Sequence, residues 1–260
     1  MRFWMTMAAL LAALPVVAAE TAEQKGLRLA LEAEARDSGF SDFTADMEMI
    51  LRNRAGDESI RQLRIKTLEV QGDGDKSLSL FDEPADVRGT AILTFSHGLE
   101  PDDQWLYLPA LKRVKRIASR NKSGPFMGSE FAYEDLSSQE VEKYSYRYLR
   151  DEPCDDGWQC WVVERVPAYE YSGYSRQVVW YDQAEYRPVR AEFYDRKGDL
   201  LKTLVWSGYQ EYAGRYWRAG QMFMENHQTG KSTRLNWTNY SFGTGLGDGD
   251  FNSNALARLR

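Results

Sequence analysis

The sequence has 260 residues, a formal net charge of −6, and 13% aromatic residues. A mildly acidic chain is not typical of nucleic-acid-binding proteins, which concentrate positive charge on one surface, so we expect no nucleic-acid partner. After the first 19 residues no apolar run reaches the length of a membrane-spanning helix, so we expect at most transient membrane contact.

The amino terminus has the pattern of a secretory signal peptide. Arg2 precedes an apolar run over residues 3–17, and the small residues that signal peptidase recognises end at Ala19. We predict cleavage before Glu20 and a periplasmic product. Because Arg2 is the one charged residue removed, the mature net charge is −7. An uncleaved interfacial helix is the alternative.

A helix is predicted at the start of the mature chain. Thr21 and Gln24 form a capping-box pattern, and Leu27, Ala30 and Leu31 follow at helical spacing, which indicates one apolar face. Ser38-Gly39 ends the helix, because glycine readily adopts the left-handed conformation.

From Phe43 the hydrophobic period changes to two, which is typical of a strand with one apolar face. We place that face, with Phe43, Ala45, Met47, Met49 and Leu51, on the concave side of a sheet. Short turns lead to partner strands that contain Leu63 and Ile65, then Leu78 and Leu80. Later strands are predicted at Val87–Phe95, Gln104–Leu108, Tyr144–Leu149, Cys160–Val166, Gln177–Tyr181, Val189–Tyr194, Leu200–Trp206, Trp217–Glu225 and Thr233–Trp237.

This succession of strands predicts a mostly β fold. The connections are too short for helical crossovers, so the sheet should be antiparallel and strongly curved, as in an incomplete β-barrel. The amino-terminal helix, together with a lid loop or short helices, should cover its concave face. We expect residues 20–260 to form a single domain.

Residues 112–136 break the strand pattern. Six basic residues lie between Lys112 and Lys122 without an acid, and four of them are candidates for contact with lipid headgroups or a partner: Lys112, Arg113, Lys115 and Arg116. A solvated strand edge is the alternative. The glycine-containing segment Gly124–Leu136 follows and carries Phe126, Met127 and Phe131. It predicts either a mobile lid or a fixed part of the core.

The two cysteines, Cys154 and Cys160, are separated by five residues. Neighbouring cysteines in an exported chain usually pair, so we predict a disulfide. A zinc site would need more ligands than two distant histidines supply. We predict no metal site, since the calcium-like run from Asp248 to Asn252 has serine in place of the required glycine.

Catalytic patterns are weak. Ser129 lacks the glycine that a nucleophile elbow needs, and His97 could serve only a distant serine. Neither a phosphate-binding glycine loop nor a dinucleotide fingerprint is present, so we expect no cofactor and no enzymatic activity. A hydrolase is a further alternative, but it would require a catalytic triad that we cannot assemble from the sequence.

Four motifs, in their order along the chain, resemble a known family: the run from Phe81 to Thr90, Trp105–Pro109, the basic run from Lys112, and the Phe126–Leu136 block. In that order they look like the LolA-like outer-membrane lipoprotein-sorting proteins, in the broader branch linked to RND-type exporters. The resemblance implies an incomplete barrel that holds acyl chains in its concavity. It also implies shuttling of lipid or lipoprotein between an inner-membrane transporter, of the RND type in this branch, and the outer membrane.

We therefore predict a soluble periplasmic carrier that binds lipid or lipoprotein acyl chains. Ten apolar residues are the predicted lipid contacts: Met47, Met49, Leu63, Ile65, Leu78, Leu80, Leu93, Phe126, Met127 and Phe131. The alternative is a periplasmic adaptor of an RND-type exporter that carries no cargo. The sequence names neither the cargo nor the transporter.

Overall fold

The computed structural model describes residues 19–154 and 157–258, so the predicted signal peptide lies almost entirely outside the described residues. Helix α1 spans Ala22–Asp37, and the capping box of Thr21 and Gln24 is present. None of the helices in these ranges combines the length and hydrophobicity that a membrane span requires.

The predicted apolar face of α1 is wrong in part. The buried residues are Gly26, Leu29 and Ala30, whereas Leu27 and Leu31 are 43% and 46% exposed. The helix packs against one edge of the sheet, where a glycine permits close approach, so the buried stripe is rotated from the one that leucines alone suggest.

Fifteen strands account for most of the rest of the described chain. They are β1 (Asp42–Arg52), β2 (Glu58–Leu68), β3 (Lys76–Glu83), β4 (Ala91–Phe95), β5 (Asp103–Leu108), β6 (Arg113–Arg116), β7 (Tyr144–Pro153), β8 (Gln159–Pro167), β9 (Tyr174–Asp182), β10 (Pro188–Asp195), β11 (Leu200–Ser207), β12 (Gln210–Tyr212), β13 (Tyr216–Arg218), β14 (Gln221–Asn226) and β15 (Lys231–Phe242).

Thirteen of these strands form one curved antiparallel sheet that does not close into a barrel, which confirms the predicted fold class. Its order is β6-β5-β4-β3-β2-β1-β15-β14-β11-β10-β9-β8-β7, and β12 pairs with β13 separately. The first and last strands, β1 and β15, pair at the centre of the sheet. Consecutive strands β6 and β7 consequently lie at opposite edges.

The chain between those edges, residues 117–143, is here called the crossing segment. It joins the two edges of the curved sheet and crosses the concave side. Phe126 and Phe131 of this segment belong to the main hydrophobic cluster, together with Met47 and Met49 of β1. The core therefore lies between the concave face and the crossing segment.

The predicted alternation along β1 is confirmed. Ala45, Met47 and Met49 are buried, and β2 presents Leu63 opposite Met47 and Ile65 opposite Ala45. Four predicted lipid contacts therefore share one face: Met47, Met49, Leu63 and Ile65.

Leu78, Leu80 and Leu93 lie on the opposite, convex face, which corrects their assignment to the concavity. Leu78 and Leu80 stand opposite Lys66 and Arg64, which alternate with the inward residues of β2.

These three leucines form a second cluster with Phe251 and Leu256 of the carboxyl-terminal segment. That segment is held by ion pairs of Asp248 with Lys76 at 2.6 Å and of Asp250 with Lys66 at 3.3 Å. Both faces of the sheet are thus covered at β3.

Two predicted strands contain residues that the structure places outside strands. Residues 84–90 form a turn, in which the carbonyl of Pro84 accepts bonds from the amides of Val87 and Arg88, so β4 begins only at Ala91. The predicted strand Trp217–Glu225 is interrupted between β13 and β14, where the amide of Gly220 donates to the carbonyl of Gly208.

The predicted disulfide between Cys154 and Cys160 is confirmed. It joins the end of β7 to the start of β8, and Cys160 is fully buried beside Val162 and Trp180 on the convex face. The disulfide therefore links the two strands of the β7–β8 hairpin, at the edge of the sheet against which α1 packs.

Candidate functional site: a groove between the helix and the sheet

A groove of about 1340 Å³ lies between α1 and the concave face of the sheet. One wall is α1, from Ala30 to Asp37. The opposite wall is formed by the inward side chains of β7, β8, β9, β11, β14 and β15, and the rim is formed by residues 69–75 and 136–142. The groove is large enough for a small-molecule or lipid ligand.

Large apolar and aromatic side chains dominate the sheet wall of the groove. Strand register explains their direction, because Trp237 stands opposite the inward Met47, Met222 opposite Leu235, and Trp206 opposite Met222. The side chains that form this wall are Phe43, Tyr146, Val179, Tyr181, Trp206, Tyr209, Met222, Trp237 and Tyr240. The indole nitrogen of Trp237 is buried and has no hydrogen-bond partner.

Acidic groups are concentrated at the helix side and rim. Burial, with the nearby Glu140 carboxylate, raises the pKa of Asp75 to about 7. Burial also raises the pKa of Glu34 and Glu140.

The oxygens of Glu34, Glu140 and Glu142 lie within 4.8 Å of one another, which is close enough to hold a metal ion. The burial that raises the pKa of Glu34 and Glu140 disfavours the ionised form that metal ligation requires.

Helix α1 is positioned by Gly26. A Cβ atom at this position would lie 2.8 Å from the amide nitrogen of Tyr148 and 2.9 Å from the carbonyl carbon of Arg147, both backbone atoms of β7. Side chains do not tolerate such distances, so only glycine lets the helix rest directly on the strand.

We expect Gly26→Ala to displace α1 and to lower the free energy of unfolding by about 1–3 kcal/mol, despite alanine's better helix propensity. Thermal unfolding measures the change, and Leu27→Ala, at an exposed position of α1, is the matched control. A stabilised Gly26→Ala protein would contradict the close contact.

The groove and the predicted lipid contacts do not coincide. Met47, Met49 and Leu63 pack in one cluster with Phe126 and Phe131 of the crossing segment, and Met127 lies against the same cluster. None of them lines the groove, whose rim begins at Leu136, the last residue of the predicted lid. The concave face therefore has one end filled by protein and one end open.

The crossing segment is anchored to both halves of the sheet. The Nζ of Lys202 donates to the carbonyl of Glu130 at 2.9 Å and to the Asp135 carboxylate at 2.7 Å. On the other half, Arg61 donates to the carbonyl of Met127 at 2.7 Å. The Glu134 carboxylate accepts bonds from Tyr169, Ser172 and Gly173. Whether this segment opens as a lid stays a prediction.

The predicted basic contacts lie apart from the groove. Lys112, Arg113, Lys115 and Arg116 are all exposed along β6, the free edge of the sheet, although Arg116 pairs with Asp103. Lys122, at the end of the same run, is instead buried over the ring of Tyr169 at 4.1 Å.

His97, considered above as a partner for a serine, contacts carboxylates. Its Nδ1 lies 2.7 Å from Asp73 and its Nε2 lies 3.8 Å from Asp103. The second histidine, His227, contacts the hydroxyl of Thr203 at 2.7 Å. These contacts do not assemble the serine–histidine pair that a hydrolase needs.

Sequence reasoning missed the residues that form the open end of the groove. Tyr181, Trp206 and Trp237 each end a predicted strand, and alternation from Val179, Leu204 and Leu235 would have placed them inward. The missing information was which end of the concave face the crossing segment fills.

An open, curved antiparallel sheet with a helix-walled groove on its concave side defines a half-barrel class of protein. A domain described as an outer-membrane lipoprotein-sorting protein, from Vibrio parahaemolyticus, is 59% identical, with a TM-score of 0.89 over 91% of this chain and 100% of that one. A DUF1329 family protein from Desulfovibrio piger is 33% identical, with a TM-score of 0.86 over 91% and 99%.

A LolA superfamily protein from Nitrosomonas europaea shares the fold at 23% identity, with a TM-score of 0.70 over 90% of this chain and 98% of that one. A family model described only as an uncharacterized protein matches residues 73–258. No curated protein matches the sequence significantly. The chain belongs to the same family as the lipoprotein-sorting domain from Vibrio parahaemolyticus and the DUF1329 protein, and it shares the fold of the LolA superfamily protein.

Proposed function

We propose that this protein is a periplasmic carrier that binds the acyl chains of a lipid or lipoprotein in the groove between α1 and the sheet. The observation that carries the proposal is the groove itself, about 1340 Å³ in volume and walled by aromatic side chains on one face. Apolar surface that is not filled by protein favours an apolar ligand. The relative from Vibrio parahaemolyticus, described as an outer-membrane lipoprotein-sorting protein domain, supports the same class of cargo.

Transfer between an inner-membrane transporter and the outer membrane is part of this proposal. The exposed basic residues of β6 and the exposed Leu111 beside them form one edge that suits an anionic headgroup surface or an acidic transporter. An unpaired strand edge also leaves backbone groups free to pair with a partner. The carrier needs no catalytic residue for this role.

Native mass spectrometry tests the proposal. We expect gently purified protein to retain lipid, and we expect Ala33→Trp to lose it, because Ala33 lines the groove on α1 and an indole there would fill the acyl-chain space. Leu31→Trp is the matched control, since Leu31 is on the outer side of the same helix.

Lipid retained equally by both tryptophan variants would place the cargo elsewhere. Wild-type protein that neither co-purifies with lipid nor takes it up from vesicles would favour the adaptor without cargo.

A further inference from the structure

Arg165 of β8 is a buried cation in the groove wall without an acidic partner. Its side chain lies on the concave face between Tyr146 of β7 and Gln177 of β9, and the residue is only 9% exposed. Among the described residues no carboxylate comes within 4.0 Å of it. Two other arginines of the groove differ, since Arg187 pairs with Asp182 and Arg218 with Asp37.

The partners of Arg165 are neutral. Its Nε donates to the side-chain oxygen of Gln177 at 2.8 Å, and its Nη2 donates to the side-chain oxygen of Gln139 at 2.9 Å. The guanidinium also lies over the ring of Tyr144, 4.6 Å from its centroid. A buried charge held only by neutral groups is unfavourable, and an anionic ligand would supply the missing opposite charge.

Gln139 marks the place where an anion could enter. It lies on the rim of the groove and is exposed, unlike Gln177. Its side-chain oxygen also accepts a hydrogen bond from the hydroxyl of Tyr144 at 2.8 Å, so an oxyanion in its place would meet two donors. The apolar wall begins next to this point, because Val179 and Tyr181 follow Gln177 at the inward positions of β9. An amphiphile whose charged head lies at Arg165 would therefore place its apolar chain against the aromatic wall of the groove.

We propose that Arg165 binds the oxyanion of an anionic amphiphile, a carboxylate or phosphate, whose chain occupies the groove. This inference rests on the proposed carrier function and deepens it by naming the chemistry of the cargo's head. Planar guanidinium matches both oxyanions through paired hydrogen bonds. The oxyanion replaces the oxygen of Gln139 at Nη2, and Gln177 keeps the guanidinium oriented.

Isothermal titration with decanoate and decan-1-ol tests the assignment, because the two probes share a chain and differ in charge. We expect the wild-type protein to bind decanoate about 10-fold or more tightly than the alcohol. Gln139→Glu should weaken decanoate binding about 10-fold or more, because an internal carboxylate then occupies Arg165, and should leave the alcohol's affinity within about twofold.

Arg165→Met provides a second variant, with folding checked by near-ultraviolet circular dichroism, and should remove the preference for decanoate. Equal affinity of the wild-type protein for both probes, or equal weakening of both in Gln139→Glu, would overturn the inference while the carrier function stands. If the wild-type protein binds neither probe, both this inference and the proposed carrier function are overturned. Inorganic phosphate that binds as tightly as decanoate would identify a free anion, not an amphiphile, as the ligand.

Discussion

Lys202→Met should lower the free energy of unfolding by about 3–5 kcal/mol, which is the usual cost of removing one partner of a buried ion pair. Lys202 is 3% exposed, and its ammonium lies 2.7 Å from Asp135. The substitution leaves the Asp135 carboxylate buried with only Tyr174 and a backbone amide as donors. Chemical denaturation followed by tryptophan fluorescence measures the loss.

The double variant Lys202→Met with Asp135→Asn is the informative control for this ion pair. Removing the unpaired charge of Asp135 should recover part of the lost stability. The effects of the two substitutions on the free energy of unfolding should therefore be clearly non-additive. Additive losses would show that the carboxylate and the ammonium do not depend on each other.

Hydrogen exchange on Lys202→Met also tests the lid hypothesis for residues 124–136. If the segment opens independently, its amides should lose protection in the variant before those of β1 and β15 do. Bound lipid should then change exchange in this segment and not in the sheet. Uniform loss of protection across the segment and the sheet would identify the segment as permanent core.

Met47→Asp should be the most damaging single substitution in β1, with a loss of about 3 kcal/mol or more. Met47 is 5% exposed and stands between Leu63 of β2 and Trp237 of β15, so a carboxylate there would be desolvated without a partner. Because Trp237 also lines the groove, lipid retention should fall together with stability.

Glu48→Gln is the control one position along the same strand. Glu48 points to the convex face and accepts bonds from Gln62 at 3.0 Å and Asn236 at 2.9 Å, so its loss of charge should cost no more than about 1 kcal/mol. Similar losses for Met47→Asp and Glu48→Gln in thermal unfolding would mean that the two faces of β1 have been exchanged.

Local sequence patterns were sufficient for the elements whose partners lie nearby. The capping box at Thr21 and Gln24, the alternation from Ala45 to Met49, and the pairing of Cys154 with Cys160 each depend on residues a few positions apart. The capping box satisfies backbone groups at the helix end, the alternation follows the two-residue period of a strand, and the disulfide closes a short loop. Each of these causes acts within one short segment of the chain.

The two faces of β3 illustrate what such local patterns do not determine. Leu78 and Leu80 alternate with Ser77 and Ser79, which indicates one apolar face but not the layer that covers it. Only the tertiary structure shows the carboxyl-terminal Phe251 and Leu256 covering that face on the convex side. Alternation specifies opposite faces of a strand, whereas the identity of each face depends on which distant segment packs against it.

The groove is the clearest case of a feature decided by tertiary structure. Pairing of β1 with β15 places β6 and β7 at opposite edges, and this sends the crossing segment over the core that contains Met47 and Phe126. The other end of the concave face remains open, so Trp206 and Arg165 line a groove there. Sequence alone determined that an apolar concave face would exist. Which part of it stays unfilled depends on strand order and on the path of one connection, because both are set by contacts between residues far apart in the chain.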